Sequence, residues 1–212
     1  MAKSYAHAPG RRDGLGAKRD RLRIAQVAAR LIAEHGLTDW TLAKRKALRQ
    51  LLLPDSTPLP SNDEIEAALT DHHALFGGDA HVAALRRQRV EALAWMRRLA
   101  AWDPMLVGGV AAGWATEHSE VRLELVADDP KVVEIELAGH GISYGALPAR
   151  EGDATTVLRV ESKGVVLRLS IVTPIQRRNR PRKPDEPRLN ADALAALIAS
   201  ETVALLPASD SA

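Results

Sequence analysis

The chain has 212 residues, 46% hydrophobic and 26% charged, a composition suited to one globular unit or to one unit with a helical extension. It contains no cysteine, which excludes disulfides, thiolate metal sites and cysteine nucleophiles and leaves Asp, Glu and His as the available metal ligands. No apolar run of roughly 18 residues is present to span a bilayer, and the basic stretch Met1 to Gly16 is not followed by the apolar segment of a secretory signal, so the reading is a cytoplasmic protein with no membrane partner.

The net charge of +2 conceals a strong asymmetry. Residues 1–50 carry twelve Lys or Arg against four Asp or Glu, whereas residues 51–76 carry five acids and no base. A second basic block, Gln176 to Pro184, is too rich in proline and charge to bury itself and reads as a flexible loop over 176–188. Such blocks suit an anionic partner, a contact between blocks, or simply a solvated surface.

In chain order, residues 1–19 read as a flexible basic arm, and the Gly10–Gly16 stretch within it as mobile. Residues 20–35 form a helix with Ile24, Val27, Ala28, Leu31 and Ile32 on one face, closed by Gly36. Thr38 or Asp39 caps a second helix to about Leu53, apolar at Ala47, Leu48, Leu51 and Leu52. Ser61-Asn62-Asp63-Glu64 is a capping box that starts a third helix ending at Phe76. A fourth runs from about Ala80 to Ala101, with Val82, Leu85, Ala92, Leu93, Met96 and Leu99 inward and Arg86, Arg87, Arg97 and Arg98 outward.

After Pro104 the period becomes two. Val121, Leu123 and Leu125 alternate with Glu120, Arg122 and Glu124, a strand with one core face and one wet, charged face. A short helix over 131–139, a strand over 141–145, and a hairpin of 155–161 and 165–172 around Ser162-Lys163-Gly164 follow. Asn190 caps the last helix, and 207–212 form a disordered tail. The fold expected is α+β: a helical region over 20–101, then a small mixed sheet with flanking helices over 102–206.

Within that second region, Gly108-Gly109, Gly113, Ser119, Glu120 and Leu123 stand at the spacing of a Gly-Ser pair, a later glycine, and Ser-Asp-X-Asp-Leu on a strand. This pattern over Leu106 to about Val172 resembles the nucleotidyltransferase superfamily that includes polymerase beta, and the whole chain resembles uncharacterised bacterial proteins that join a helical region to such a domain; its Arg and Ala richness suits a GC-rich genome. The resemblance implies a glycine turn whose backbone N–H groups approach a triphosphate, and strand carboxylates that hold Mg²⁺. Here the second acid position is Arg122, the third, on the hairpin strand, is Arg168, and the serine of the pair is Gly109. Only Glu120 is retained as a catalytic candidate.

The reading is therefore a degenerate member that binds a nucleotide or another phosphate-bearing ligand through Gly108, Gly109, Gly113, Ser119, Glu120, Arg122 and Arg168, with little or no catalysis, no cofactor and no metal. Whether it is an enzyme stays open. In one alternative Glu124 or Glu161 replaces the missing acids and Mg²⁺ is required; in another, Glu120, Arg122, Glu124 and Arg168 merely pair across strands. A third alternative is a non-enzymatic nucleic-acid or protein adaptor using Lys44, Arg45, Lys46, Arg49, Arg177, Arg178, Arg180 and Arg182. Trp114 packs on the sheet edge or stacks a base. His118, at the mouth of the cleft, reads as a loop histidine or a ligand contact, and His72 and His73, adjacent on one helix, diverge too far to share a metal.

Overall fold

The computed structural model describes residues 12–148, 156–179 and 187–204. The chain divides into two compact units, Met1–Gly78 and Asp79–Ala212. The first contains three helices, α1 (Arg12–His35), α2 (Trp40–Gln50) and α3 (Asn62–Phe76). α1 begins earlier than its apolar stripe suggests. Arg, Lys, Leu and Ala propagate a helix well once it is nucleated, so residues 12–19 extend it instead of forming an arm. Residues 1–11 lie outside the described residues.

The unit is held by an aliphatic core of Ile24, Ala28, Leu31 and Ile32 from α1, Ala47 and Leu48 from α2, and Ile65 and Leu69 from α3. Asp39 caps α2, accepting from the backbone of Thr41 at 2.8 Å and Leu42 at 3.1 Å. α2 stops at Gln50, short of the expected Leu53, and Leu52 takes a positive φ and lies almost wholly exposed. The capping box of α3 forms as its sequence predicts: Glu64 N–H donates to the Ser61 hydroxyl at 3.1 Å and Ser61 N–H to the Glu64 carboxylate at 2.7 Å.

The second unit is built on a six-stranded mixed sheet. Its strands are β1 (Met105–Val107), β2 (Val121–Val126), β3 (Tyr144–Leu147), β4 (Thr156–Ser162), β5 (Val165–Val172) and β6 (Arg188–Leu189), in the order β3-β4-β5-β2-β1-β6. All neighbours are antiparallel except β2 and β5, which run parallel. Five helices complete the unit: α4 (Gly78–Arg98), α5 (Gly109–Ala112), α6 (Lys131–Gly139), α7 (Pro174–Asn179) and α8 (Ala191–Ala204), with a 3-10 turn at Ala100–Trp102 after α4. α4 thus groups with the sheet, not with the preceding helices, because its apolar face (Leu85, Ala92, Trp95, Met96, Leu99) joins one core with Leu106, Leu123, Leu125, Leu158, Leu167, Leu169, Leu137 and Leu194. Val82, expected inward, is exposed one turn before that face begins.

Alternation sorts the sheet into two faces. Val121, Leu123, Leu125, Leu158, Val160, Leu167, Leu169 and Ile171 are buried in the helix-packed core. The opposite face carries Arg122, Glu124, Arg159, Glu161, Arg168 and Ser170. The hairpin turn falls where predicted, with Lys163 and Gly164 both at positive φ. The start of the basic block is not loop: α7 covers 174–179, with its turn closed by Thr173 and Gln176, whose side chains bond each other's backbone N–H at 2.8 and 3.1 Å. Residues 180–186 and 205–212 lie outside the described residues. Asn190 caps α8, accepting from Ala193 N–H at 2.8 Å. Among the described residues no helix is long and apolar enough to cross a membrane.

Removing one arm of the capping box should leave the fold intact and weaken it measurably. Ser61→Ala is expected to lower unfolding free energy by about 1 kcal/mol in denaturant titration.

Candidate functional site

The face of the sheet away from the helix-packed core, called the open face below, carries Arg122 and Arg168 of the candidate site. Val107 of β1 is the register partner of Arg188 on β6 and of Arg122 on β2. Arg122 is in turn the partner of Arg168 on β5, and Arg168 of Arg159 on β4. Register partners project from the same face, so four arginines stand in one row across the sheet, three of them on consecutive strands about 4.8 Å apart.

Two of the four pair with carboxylates of the chain. Arg188 forms a close ion pair with Glu124, which is 1% exposed and also takes Arg177 Nε at 3.5 Å. Arg177 bonds the Asp103 carboxylate at 2.8 Å and the Asp103 carbonyl at 2.9 Å. Arg159 pairs with Glu161 at 2.8 Å in solvent. The side chains of Arg122 and Arg168 have no hydrogen-bond or ion-pair partner among the described residues. The expected cross-strand pairing of Glu120, Arg122, Glu124 and Arg168 is therefore corrected. Glu124 turns to β6 and α7 and is buried, not wet. Glu120 lies just before β2, half-buried, and the two arginines face each other.

The glycine turn before β2 is organised from behind by α4. Gly108 has φ 71° and ψ −155°, and a β-carbon there would come within 3.3 Å of Arg122 Cδ, so glycine lets the arginine stem lie across the turn. A β-carbon on Gly109 would meet the Trp114 ring at 2.6 Å. Trp114 is 7% exposed and packs within the turn against Gly109, a place other than the sheet edge expected for it. It fills the space that the serine of the nucleotidyltransferase pattern would need. The N–H groups of Ala112, Gly113, Trp114 and Ala115 bond the carbonyls of Gly108 and Gly109 at 2.7–3.1 Å, so these four donors are spent on the turn itself.

The Ser119 hydroxyl is likewise occupied, accepting from Thr116 N–H at 3.0 Å and lying 3.2 Å from the Thr116 hydroxyl. Gly113 takes the left-handed conformation at φ 92°, and its carbonyl accepts from His81 Nε2 at 3.3 Å. Of the sequence-nominated residues, Gly108, Arg122 and Arg168 converge on the open face; Gly109, Gly113 and Ser119 build the turn.

Sequence reasoning missed the residues that hold this turn. Gln88 Nε2 donates to the carbonyls of Thr116 and Ser119 at 2.9 and 3.1 Å, and Arg89 Nε donates to the Val110 carbonyl at 3.0 Å while its guanidinium pairs closely with Glu201 of α8. Both side chains are buried. The signal was present, since Gln88 and Arg89 stand three and four residues after Leu85 on the inward stripe. Glu91 was missed too: buried, it accepts from Trp95 Nε1 at 3.1 Å and from the Ser162 hydroxyl at 2.7 Å and pairs with Lys163 at 3.2 Å, tying α4 to the hairpin. A groove of about 470 Å³ opens beside it, lined by Arg86, Arg87, Val90, Lys163 and Val165 and by none of the arginine row.

The residues do not fit the pair of Mg²⁺ ions that the nucleotidyltransferase resemblance implies. Two of the three acid positions carry guanidinium groups, and among the described residues no group of three or more His, Asp or Glu could hold a metal ion. The residues of the adaptor reading fall in both units. Lys44 bonds Asn62 at 2.8 Å and burial lowers its pKa, while Arg45, Lys46 and Arg49 are exposed on α2. Arg177 is held by Asp103 and Glu124, Arg178 is exposed on α7, and Arg180 and Arg182 lie outside the described residues. His72 and His73 stack edge-on at 5.7 Å, and His118 is exposed beside Glu117 at 3.5 Å.

Searches of protein-family models and of curated proteins return no match to this chain.

Two measurements probe the turn. In a double-mutant cycle, Gly109→Ser should cost at least about 1–3 kcal/mol in the native background and distinctly less in Trp114→Ala, because the clash is with that ring. Equal costs in both backgrounds would refute the fit. Burial lowers the pKa of His81, with Arg89 adding to the effect against the Gly113 hydrogen bond, so the unfolded chain binds the proton first. Stability conferred by the neutral ring is then complete above the ordinary value of 6.5 and is lost as pH falls through the lower native value. Melting curves across that window should show the loss in the native chain and a flatter profile in His81→Gln, which keeps a donor for Gly113.

Proposed function

We propose that this protein is a nucleotidyltransferase-like binder of a nucleotide or another phosphate-bearing ligand, with little or no catalysis, in which guanidinium groups stand where the resemblance places metals. The observation that carries the reading is the facing pair Arg122 and Arg168, which have no internal counter-ion among the described residues. Like charges opposite each other across strands are destabilising, and a bound phosphate turns that repulsion into two charge-assisted, bidentate contacts without a metal.

The active-transferase alternative finds less support. Glu124 is already engaged by Arg188 and Arg177 in a buried cluster, and Glu161 by Arg159, so neither carboxylate stands ready beside Glu120. The guanidiniums at the other two acid positions repel the cation that the displacement would use, and one carboxylate does not make up a pair of metal sites.

Thermal shift with a panel of nucleoside triphosphates, each with Mg²⁺ and with chelator, tests this. Stabilisation is expected without metal, on the order of 2.7 kcal/mol at a hundredfold excess over Kd, and should disappear in Arg122→Ala and Arg168→Ala. Stabilisation that requires Mg²⁺ and survives both substitutions would restore the transferase reading. No response to nucleotides, together with salt-sensitive oligonucleotide binding abolished by changes at Arg45, Lys46 and Arg49, would favour the adaptor.

A further inference from the structure

We infer that Arg159 is a specificity-determining residue of this site. With Arg122 and Arg168 it forms a three-guanidinium row that selects a diphosphate-class group over a single phosphate, and Glu161 is the internal carboxylate that such a ligand displaces. The inference rests on the anion-binding reading of the Arg122 and Arg168 pair and adds to it the class of group bound.

The geometry separates the arginines of the row by how firmly each is held. Arg188 is held close to Glu124, a carboxylate 1% exposed, and its departure would strip a deeply buried charge of its nearest guanidinium and leave Arg177 at 3.5 Å. Arg159 and Glu161 pair at 2.8 Å, but with side chains 40% and 67% exposed, so water screens the attraction and compensates its rupture. Arg159 is therefore releasable and Arg188 is not. Arg122 and Arg168, with no partner among the described residues, need no release.

The row also has a direction. On one side the next row, Val157, Ser170 and Glu124, includes the buried Val157 and the buried, already paired Glu124, and on the other Glu161 stands two residues after Arg159 on β4, so the row favours a ligand lying along it. Beyond Arg159 its register partner on β3 is Gly145, exposed and with no atom within 4 Å of the place a β-carbon would take. No side chain of β3 closes that end. At about 4.8 Å per strand the three arginines span about 10 Å of sheet. One phosphate satisfies the two unpaired guanidiniums; a second, linked phosphate reaches the third and replaces Glu161 as its counter-ion.

Isothermal titration of the full chain with inorganic phosphate and with pyrophosphate, both in chelator, tests the assignment. Pyrophosphate is expected to bind at least about tenfold more tightly than phosphate. Arg159→Ala should remove that preference while leaving phosphate affinity within about twofold, and Glu161→Gln should tighten pyrophosphate roughly three- to tenfold. Arg159→Lys, which keeps the charge but loses the fork, should retain only part of the preference, and unchanged melting of the variants guards against misfolding. A pyrophosphate-to-phosphate ratio unmoved by Arg159→Ala and Glu161→Gln, with both ligands lost in Arg122→Ala, would overturn the third arm and leave the anion site standing. Binding of neither ligand by the native chain would overturn both.

Discussion

The parallel pairing of β2 with β5 is the constraint on which the open face depends. It sets Arg122 opposite Arg168, an arrangement that costs energy on its own. The same register sets Val121, Leu123 and Leu125 opposite Leu167, Leu169 and Ile171 on the other face, and all six are fully buried. Burying each such side chain contributes about 1.5–3 kcal/mol, against less than about 1 kcal/mol for one unfavourable cross-strand pair. A slip of one residue would send the aliphatic set to solvent, so the core dictates the register and the arginines are carried with it. The repulsion is tolerated because the other face outweighs it.

Glu124 shows why alternation alone misreads this strand. Its position in the period-two pattern places it on the face with Arg122, and that placement holds. Its environment does not follow from the pattern, because β6 pairs beyond β1 and α7 packs nearby, bringing Arg188 and Arg177 onto one carboxylate from 64 and 53 residues away in sequence. A carboxylate so deeply buried needs compensating charge, and two guanidiniums supply it. The cluster ties β2 to β6 and α7, a structural duty incompatible with service as a spare metal ligand.

What could be read from the sequence was local. The Ser61 capping box, the caps at Asp39 and Asn190, and the Lys163-Gly164 turn each depend on residues within four positions, and each forms as expected. The α+β class and the hairpin followed from the change of period. Gln88 and Arg89 were not read as inward despite their place on the buried stripe of α4, because polar residues beside Arg86 and Arg87 look like solvated surface. Their burial is decided by carbonyls of a turn some twenty to thirty residues away, and a buried carbonyl without a donor costs more than burying the side chain that satisfies it. The strand order, and with it the arginine row, was equally out of reach, since it arises from pairings among β1, β2, β4, β5 and β6.

The turn and the arginines make one argument together. A glycine turn that held a metal–triphosphate complex would keep its N–H groups and a serine hydroxyl facing the ligand. In this protein the N–H groups of residues 112–115 close on Gly108 and Gly109, Trp114 fills the space above Gly109, and Ser119 bonds back to Thr116. His81, Gln88 and Arg89 hold the outer carbonyls, so these carbonyls are satisfied from within the chain. Under the proposed reading, recognition on this face therefore rests on Arg122 and Arg168, which have no internal counter-ion among the described residues. If the proposed anion binds here, a turn already closed on itself beneath Arg122 leaves less ordering for that ligand to impose, which would favour such a frame over one that must first fold around its ligand.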